Sequence, residues 1–422
     1  MKEPQKIHRP GNSILHNEES VSSTIIEHNK QGLMKNFMSS IMSGIKHKMS
    51  PFFPIIRNVW RLRLNVWIIK GEEKTTKQEI KLLYMGSDLS KHYLEDLIFS
   101  NIIEEKYIGK RWIWTTLRMA RSNCADYSLL IAETGDYLAK IFKRKREYFV
   151  PCWIVAEIDL NSDSSDPAQM DKNKNLKADI HRIKKHELDY ELTKSQAQFN
   201  KFYHDMYKPF AVKRYGKKAI VEKYYDLRIS FKKGELILVK MGGIPVAGTL
   251  IKYEKNQAFL HVLGVKDGDS DYLRFGAISA LYYYSIRYLK GRGFTRLNMG
   301  ATRPFLMDGV LLYKKKWGLK IIGTTGPGFL MKLLSETAAV RGFLSNNPFI
   351  YKDSKHIYGA VFLLPEQVDD KRSVEKTFHD YYIDGMSKLL IYVFDSADSI
   401  AQMDMPNKLE DKITILRAGE IL

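Results

Sequence analysis

His261 is the side chain whose type best suits proton transfer near neutral pH, because imidazole changes charge there. It stands in the run Ala258 to Val265, where alternation puts it on one face with Phe259 and Leu263. That placement also suits a core histidine held by hydrogen bonds, so a general base and a structural residue are both open readings. Asp308 precedes Gly309 at the start of a short helical segment. It can accept a proton or cap that helix. Arg303 follows a strand-like run in a loop, where its N–H groups can grip a phosphate or a carboxylate. Asp267 and Asp269 read first as turn residues. The two cysteines, Cys124 and Cys152, show no Cys-x-x-Cys or Cys/His ligand spacing. No metal site or disulfide framework is expected, and a reducing compartment is favoured.

These residues need elements to hold them, and the most regular text lies between 235 and 317. Glu235 to Lys240 is a strand pattern, Gly242-Gly243 a hairpin turn, and Val246 to Tyr253 the partner strand. Ala258 to Val265 is a third strand. Asp271 to Lys290 reads as a helix closed by Gly291 and Gly293, followed by a strand over Phe294 to Met299 and a short helix over Asp308 to Trp317. Upstream, Phe199, Phe202, Tyr203, Met206, Tyr207 and Phe210 recur at helical spacing and predict one buried face. A basic helix spans 176–186, and Lys213, Arg214, Lys217 and Lys218 form a further basic cluster. The first part of the chain shows strands at 81–85, 127–131 and 153–158, with a helix at 90–99. After Gly318 the pattern predicts helices over 329–343 and 366–389 and strands over 356–364 and 390–394. The expected class is α/β (α+β), with a mixed, mostly antiparallel sheet flanked by helices.

The polar stretch Asn161 to Asn175 is the best boundary signal. It divides the chain into a tail over 1–32 without apolar periodicity, an α/β unit over 33–165, a unit over 176–325, and an extension over 326–422. The 422 residues exceed one typical core. A net charge of +19 favours anionic partners, while the segment from Glu366 onward is acidic. No leader-like apolar segment and no long uncharged apolar run are seen, so a cytoplasmic protein without a transmembrane segment is expected. Residues 33–69 mix Phe52, Phe53, Trp60 and Trp67 with Lys and Arg, and either lie on a membrane surface or pack on the body.

This order of elements resembles the GNAT superfamily of acyltransferases, and within it the branch that also holds the Fem-type aminoacyl transferases of peptidoglycan synthesis. The resemblance runs through Ala178 to Lys185, Phe202 to Phe210, Gly243 to Gly248, Leu263 to Val265 and Gly300 to Gly318, about a third of the chain. It implies a GNAT fold, with the first unit a degenerate second copy in tandem. It implies two strands, 258–265 and 294–299, that splay to admit an acyl donor, acyl-CoA in the main reading. Leu263, Gly264 and Val265 would then line the donor, and Arg274, Phe275, Gly276 and Ala277 would meet its diphosphate at a helix start. The family's Gln/Arg-x-x-Gly-x-Gly/Ala signature is not met, since Arg274 stands two residues before Gly276. Tyr313 would protonate the leaving group, with His261 or Asp308 as base. Arg303, Tyr207 and Lys314 would hold the amine acceptor.

Two further readings remain beside this one. In the first, aminoacyl-tRNA is the donor, as in the Fem-type branch. In the second, a catalytically silent scaffold binds RNA or a membrane through basic faces such as Lys140 to Arg146.

Overall fold

The computed structural model describes residues 62–420 except 123–125, 145, 163–164, 217–218, 255–256, 369 and 395–408. The expected tail, the stretch 33–61 with Phe52, Phe53 and Trp60, and Cys124, Lys217 and Lys218 lie outside the described residues. Residues Leu64–Leu422 form one compact unit.

Fifteen strands are described in chain order. The first five are β1 (Arg63–Glu73), β2 (Glu79–Gly86), β3 (Phe99–Trp112), β4 (Leu129–Thr134) and β5 (Glu147–Asp159). Next come β6 (Asp189–Thr193), β7 (Glu235–Met241), β8 (Ile244–Glu254), β9 (Gln257–Val265) and β10 (Arg296–Thr302). The last five are β11 (Leu319–Leu333), β12 (Phe349–Asp353), β13 (His356–Leu363), β14 (Lys388–Val393) and β15 (Ile413–Arg417). The main sheet runs β3-β1-β2-β4-β11-β5-β10-β9-β8-β7-β6, and β12 to β15 branch from β5. Antiparallel pairs dominate, and the fold is α/β with helices flanking a mixed sheet.

The topology repeats. β2 and β4 are parallel, a short helix (Asp136–Phe142) follows β4, and the long strand β5 comes next. Likewise β9 and β10 are parallel, a short helix (Gly309–Lys316) follows β10, and the long strand β11 comes next. Each long strand then enters the other half. β5 lies between β10 and β11, and β11 lies between β4 and β5. The two halves complete each other's sheet.

This exchange overrides the boundary expected at 161–175. Its described residues include a short helix (Pro167–Lys172), and Met170 there is buried in the core beside a continuous sheet. Burial along the long strands shows why the halves cohere. Tyr148, Val150 and Cys152 of β5 enter one apolar cluster, while Ile154, Ala156 and Ile158 enter the other. On β11, Phe329, Met331 and Leu333 join the first, and Leu319 and Ile321 the second. One face of each strand therefore serves both cores.

Several local expectations change. Phe329 to Leu333 is the end of β11, and the helix begins only at Ala338. The run Phe329, Leu330, Met331 and Leu333 is buried throughout, and periodicity cannot tell such a strand from a buried helix. The helix expected over 366–389 spans only Lys371–Tyr381. Gly385, at φ +94°, then turns the chain against the Ile321 backbone. The helix expected over 271–290 is two helices, Ser270–Arg274 and Ala277–Gly291, broken at Gly276, whose φ is +95°. Trp67 is a core residue, 6% exposed, which removes it from the proposed membrane face. No described helix is long and apolar enough to cross a membrane.

Candidate active site in the splay of two strands

β9 and β10 part almost as soon as they meet. They pair only at Leu297 with Ala258 and at Asn298 with Phe259. Two bulges force them apart. On β9 the register against β8 slips between Val262 and Leu260, which makes His261 the extra residue. On β10 the register against β5 slips between Asn298 and Ala301. Gly300 turns there at φ +71°, its N–H donating to the Asn298 side chain at 2.8 Å. Beyond Phe259 no β10 residue pairs with β9 among the described residues, so that strand edge is open toward the gap.

The gap is a cavity of about 600 Å³. Leu260 to Leu263 line one wall, Met299 to Ala301 the opposite wall, and Ile278, Ser279, Tyr313 and Lys314 the floor between them. Its counterpart in the first half is sewn shut. There the Glu133 carboxylate accepts hydrogen bonds from the Ser87 amide (2.8 Å), the Ser87 hydroxyl (2.7 Å) and the Tyr84 hydroxyl (3.1 Å).

His261 belongs to this cleft. Its Nε2 lies 3.1 Å from a carboxylate oxygen of Glu222. Glu222 is itself fixed through its backbone: Tyr203 donates to its carbonyl (2.9 Å), and its amide donates to Tyr207 (3.0 Å). Tyr203 and Tyr207 sit in a wide, π-type turn, Phe202–Tyr207, inside the expected aromatic helix. Tyr207 is buried and holds Glu222, so it does not contact an acceptor from the cleft wall.

Gly264 has a packing role. A Cβ there would stand 2.4 Å from the Tyr207 amide nitrogen and 2.5 Å from the Met206 carbonyl carbon. Gly264→Ala is expected to cost about 1–3 kcal/mol by overpacking, read as a lower urea midpoint. An unchanged midpoint would show that the aromatic helix withdraws freely. Val265 is likewise buried, whereas Leu263 lines the cleft.

Lys314 is 5% exposed on the Gly309–Lys316 helix. Its ammonium donates to the carbonyls of Met299 (2.5 Å) and Ala301 (3.5 Å), where β10 bends away. Burial pushes its pKa down to about 8, which Asp308 partly offsets. Asp308 caps this helix through the amides of Val310 and Leu311, both at 3.0 Å, and fills the structural alternative foreseen for it.

Tyr313 is held from behind. Its hydroxyl lies 2.8 Å from the Ser279 hydroxyl, which donates to Asp179 at 2.7 Å. Asp179 also takes Lys316 (2.9 Å) and, more loosely, Arg182 (3.3 Å). Ser279 has one proton and gives it to the carboxylate, so Tyr313 must donate to Ser279. That polarity does not suit the acid role expected of Tyr313. Burial, chiefly, raises the phenol far above its ordinary value and keeps it neutral.

The diphosphate cradle does not fit. Arg274 turns outward to Asp271, and none of Arg274, Phe275, Gly276 or Ala277 lines the cleft. Gly276 is buried under the Lys177–Lys185 helix, where a Cβ would come within 3.0 Å of the Arg182 Cβ. Arg303 is also engaged elsewhere. Its guanidinium is 4.0 Å from both the Tyr93 and the Trp153 ring, and it donates weakly to the Cys152 carbonyl.

Lys140, Lys143 and Arg144 of the basic run border a separate cavity of about 470 Å³, where Lys143 pairs with Asp353 and Lys352 with Asp136. Among the described residues no group of three or more His, Cys, Asp or Glu side chains is arranged to hold a metal ion.

Glu222, Ser279 and the role of Asp179 were not seen in the sequence. Glu222 stands 39 residues from His261 in an irregular segment, and no spacing rule links them. Asp179 lies inside the Ala178 to Lys185 text, which marked it as notable without a role.

No protein-family model matches the chain, and no curated protein matches it. Solved structures similar to it include a C-terminal domain described as that of a lysylphosphatidylglycerol synthetase from Agrobacterium fabrum. It has 12% identity and a TM-score of 0.32, covering 66% of this chain and 84% of that one. FemX is similar at 11% identity and a TM-score of 0.33, over 63% of this chain and 84% of that one. A GCN5-related N-acetyltransferase from Sphaerobacter thermophilus is similar at 10% identity and a TM-score of 0.29, over 61% and 73% of the two chains.

Proposed function

We propose that this chain is an N-acyltransferase that moves an acyl group from an activated ester or thioester onto an amine in the β9–β10 splay. The observation that carries this is the His261–Glu222 pair standing on the β9 bulge, in the same cleft as Lys314 and the β9 edge that β10 leaves. The acyl carbonyl lies along β9, where free N–H groups stabilise the oxyanion. His261 removes a proton from the attacking nitrogen, with Glu222 orienting the imidazole and balancing its charge. Lys314, near pKa 8, offers a proton or a positive charge to the departing oxygen or sulfur.

Arg274 turned out to Asp271, and Gly276 and Ala277 buried away from the cleft, favour a donor not gripped by its diphosphate. An aminoacyl-tRNA ester therefore stands ahead of acyl-CoA.

The test incubates the full chain with benzylamine and either acyl-CoAs or charged tRNA, and measures the amide by mass spectrometry. Amide from charged tRNA alone supports the ester reading. Amide from an acyl-CoA restores the thioester. Amide from neither removes the proposal.

A further inference from the structure

A buried hydrogen-bonded line leads out of the cleft and ends on a carboxylate that the mechanism above does not use. It runs from Tyr313 to Ser279 at 2.8 Å and from Ser279 to Asp179 at 2.7 Å. Ser279 and Asp179 are 4% and 2% exposed, so water does not compete for these bonds. Three helices meet here: Asp179 comes from Lys177–Lys185, Ser279 from Ala277–Gly291 and Tyr313 from Gly309–Lys316. The polarity of the line is fixed. A carboxylate only accepts, so Ser279 donates to Asp179 and Tyr313 donates to Ser279. The lone pairs of the Tyr313 oxygen are therefore what the line presents to the cleft.

We propose that Tyr313, Ser279 and Asp179 form a proton relay that turns a bound ammonium into the nucleophilic amine. This rests on the N-acyltransferase reading. An alkyl amine enters as an ammonium at neutral pH, since its pKa is near that of lysine, about 10.4. It must lose one proton before attack and a second after the C–N bond forms. His261 serves the second loss, and the relay serves the first.

In that step an N–H bond of the ammonium breaks and its proton joins the Tyr313 oxygen. The former Tyr313 proton passes to the Ser279 oxygen, and the former Ser279 proton passes to Asp179. The amine is left neutral with its lone pair free, and Asp179 is left as the acid. Every donor already points the way its proton travels. Lys316, on the other Asp179 oxygen at 2.9 Å, holds the carboxylate in place from the partly exposed side. The acceptor class is thus a primary amine that is cationic in solution.

The test compares two acceptors in the full chain, with whichever donor of the assay above yields amide. Benzylamine is an ammonium at pH 7, and aniline is already neutral. Asp179→Asn keeps the shape and the Ser279 bond but cannot take the proton, and Ser279→Ala cuts the line at its middle. Each is expected to lower kcat/KM for benzylamine by about a hundredfold and to leave aniline within about twofold. The double variant should be no worse than either single one, because one line is cut in both. Equal losses for both amines, or a loss for neither, would overturn the relay and leave the acyltransferase reading standing. No transfer by the wild-type chain to either amine would end that reading and the relay with it. If Asp179→Asn fails to fold, Ser279→Ala alone decides between these outcomes.

Discussion

Replacing His261 with alanine lowers the rate of acyl transfer by about 10²- to 10⁴-fold, the range seen when a positioned acid–base group is lost. The loss falls on kcat, because His261 acts on the nitrogen only once attack is under way. Donor binding changes little, since the walls of the cleft are otherwise intact. Glu222→Gln keeps a hydrogen bond to the imidazole but removes the charge that balances it, so a smaller loss in kcat is expected. His261→Ala and the double variant should then be equally slow, because Glu222 acts only through His261. A His261→Ala enzyme that keeps wild-type kcat with benzylamine would show that the imidazole is a core residue, the alternative its strand position allowed.

Replacing Lys314 with methionine stabilises the fold at neutral pH and removes transfer. The buried ammonium has its pKa lowered from 10.5 to about 8, which penalises the charged folded state by about 3 kcal/mol. The folded state binds fewer protons than the unfolded one between pH 8 and 10.5. Wild-type stability therefore rises through that window, and the penalty is present in full below pH 8. Lys314→Met is expected to melt above wild type at pH 7, with the gap narrowing toward pH 10.5. Urea denaturation of both proteins at pH 7 and 10.5 checks this. A variant less stable than wild type at pH 7 would mean that the bonds to Met299 and Ala301 outweigh the cost of burial. The charge would then be structural rather than held ready for a leaving group.

The central hairpin and its neighbours were readable from residue order alone. Gly242 and Gly243 sit at φ +57° and +78° between β7 and β8, as a two-residue turn requires. The buried face from Phe199 to Phe210 also followed from helical spacing. What stayed hidden depends on distant parts of the chain. The exchange of β5 and β11 joins residues about 170 positions apart, such as Ala156 and Ile321, and leaves no local pattern. The bulge at His261 is one extra residue in an otherwise regular strand, so alternation put the side chain on a core face. The line from Asp179 to Tyr313 spans 134 positions across three helices. Arg303 misled because a loop arginine looks free in sequence, whereas the Tyr93 and Trp153 rings that hold it come from elsewhere in the chain.

The central claim is that the acyl donor lies between β9 and β10, and Leu263→Trp tests it most directly by filling that gap from one wall. Thermal melting of wild type and variant would be compared, each with and without saturating donor. Donor at 100 times its Kd is expected to raise the wild-type stability by about 2.7 kcal/mol. The Leu263→Trp chain should melt near wild type without donor and show no rise with it. An equal rise in both proteins would place the donor outside the splay and contradict the account.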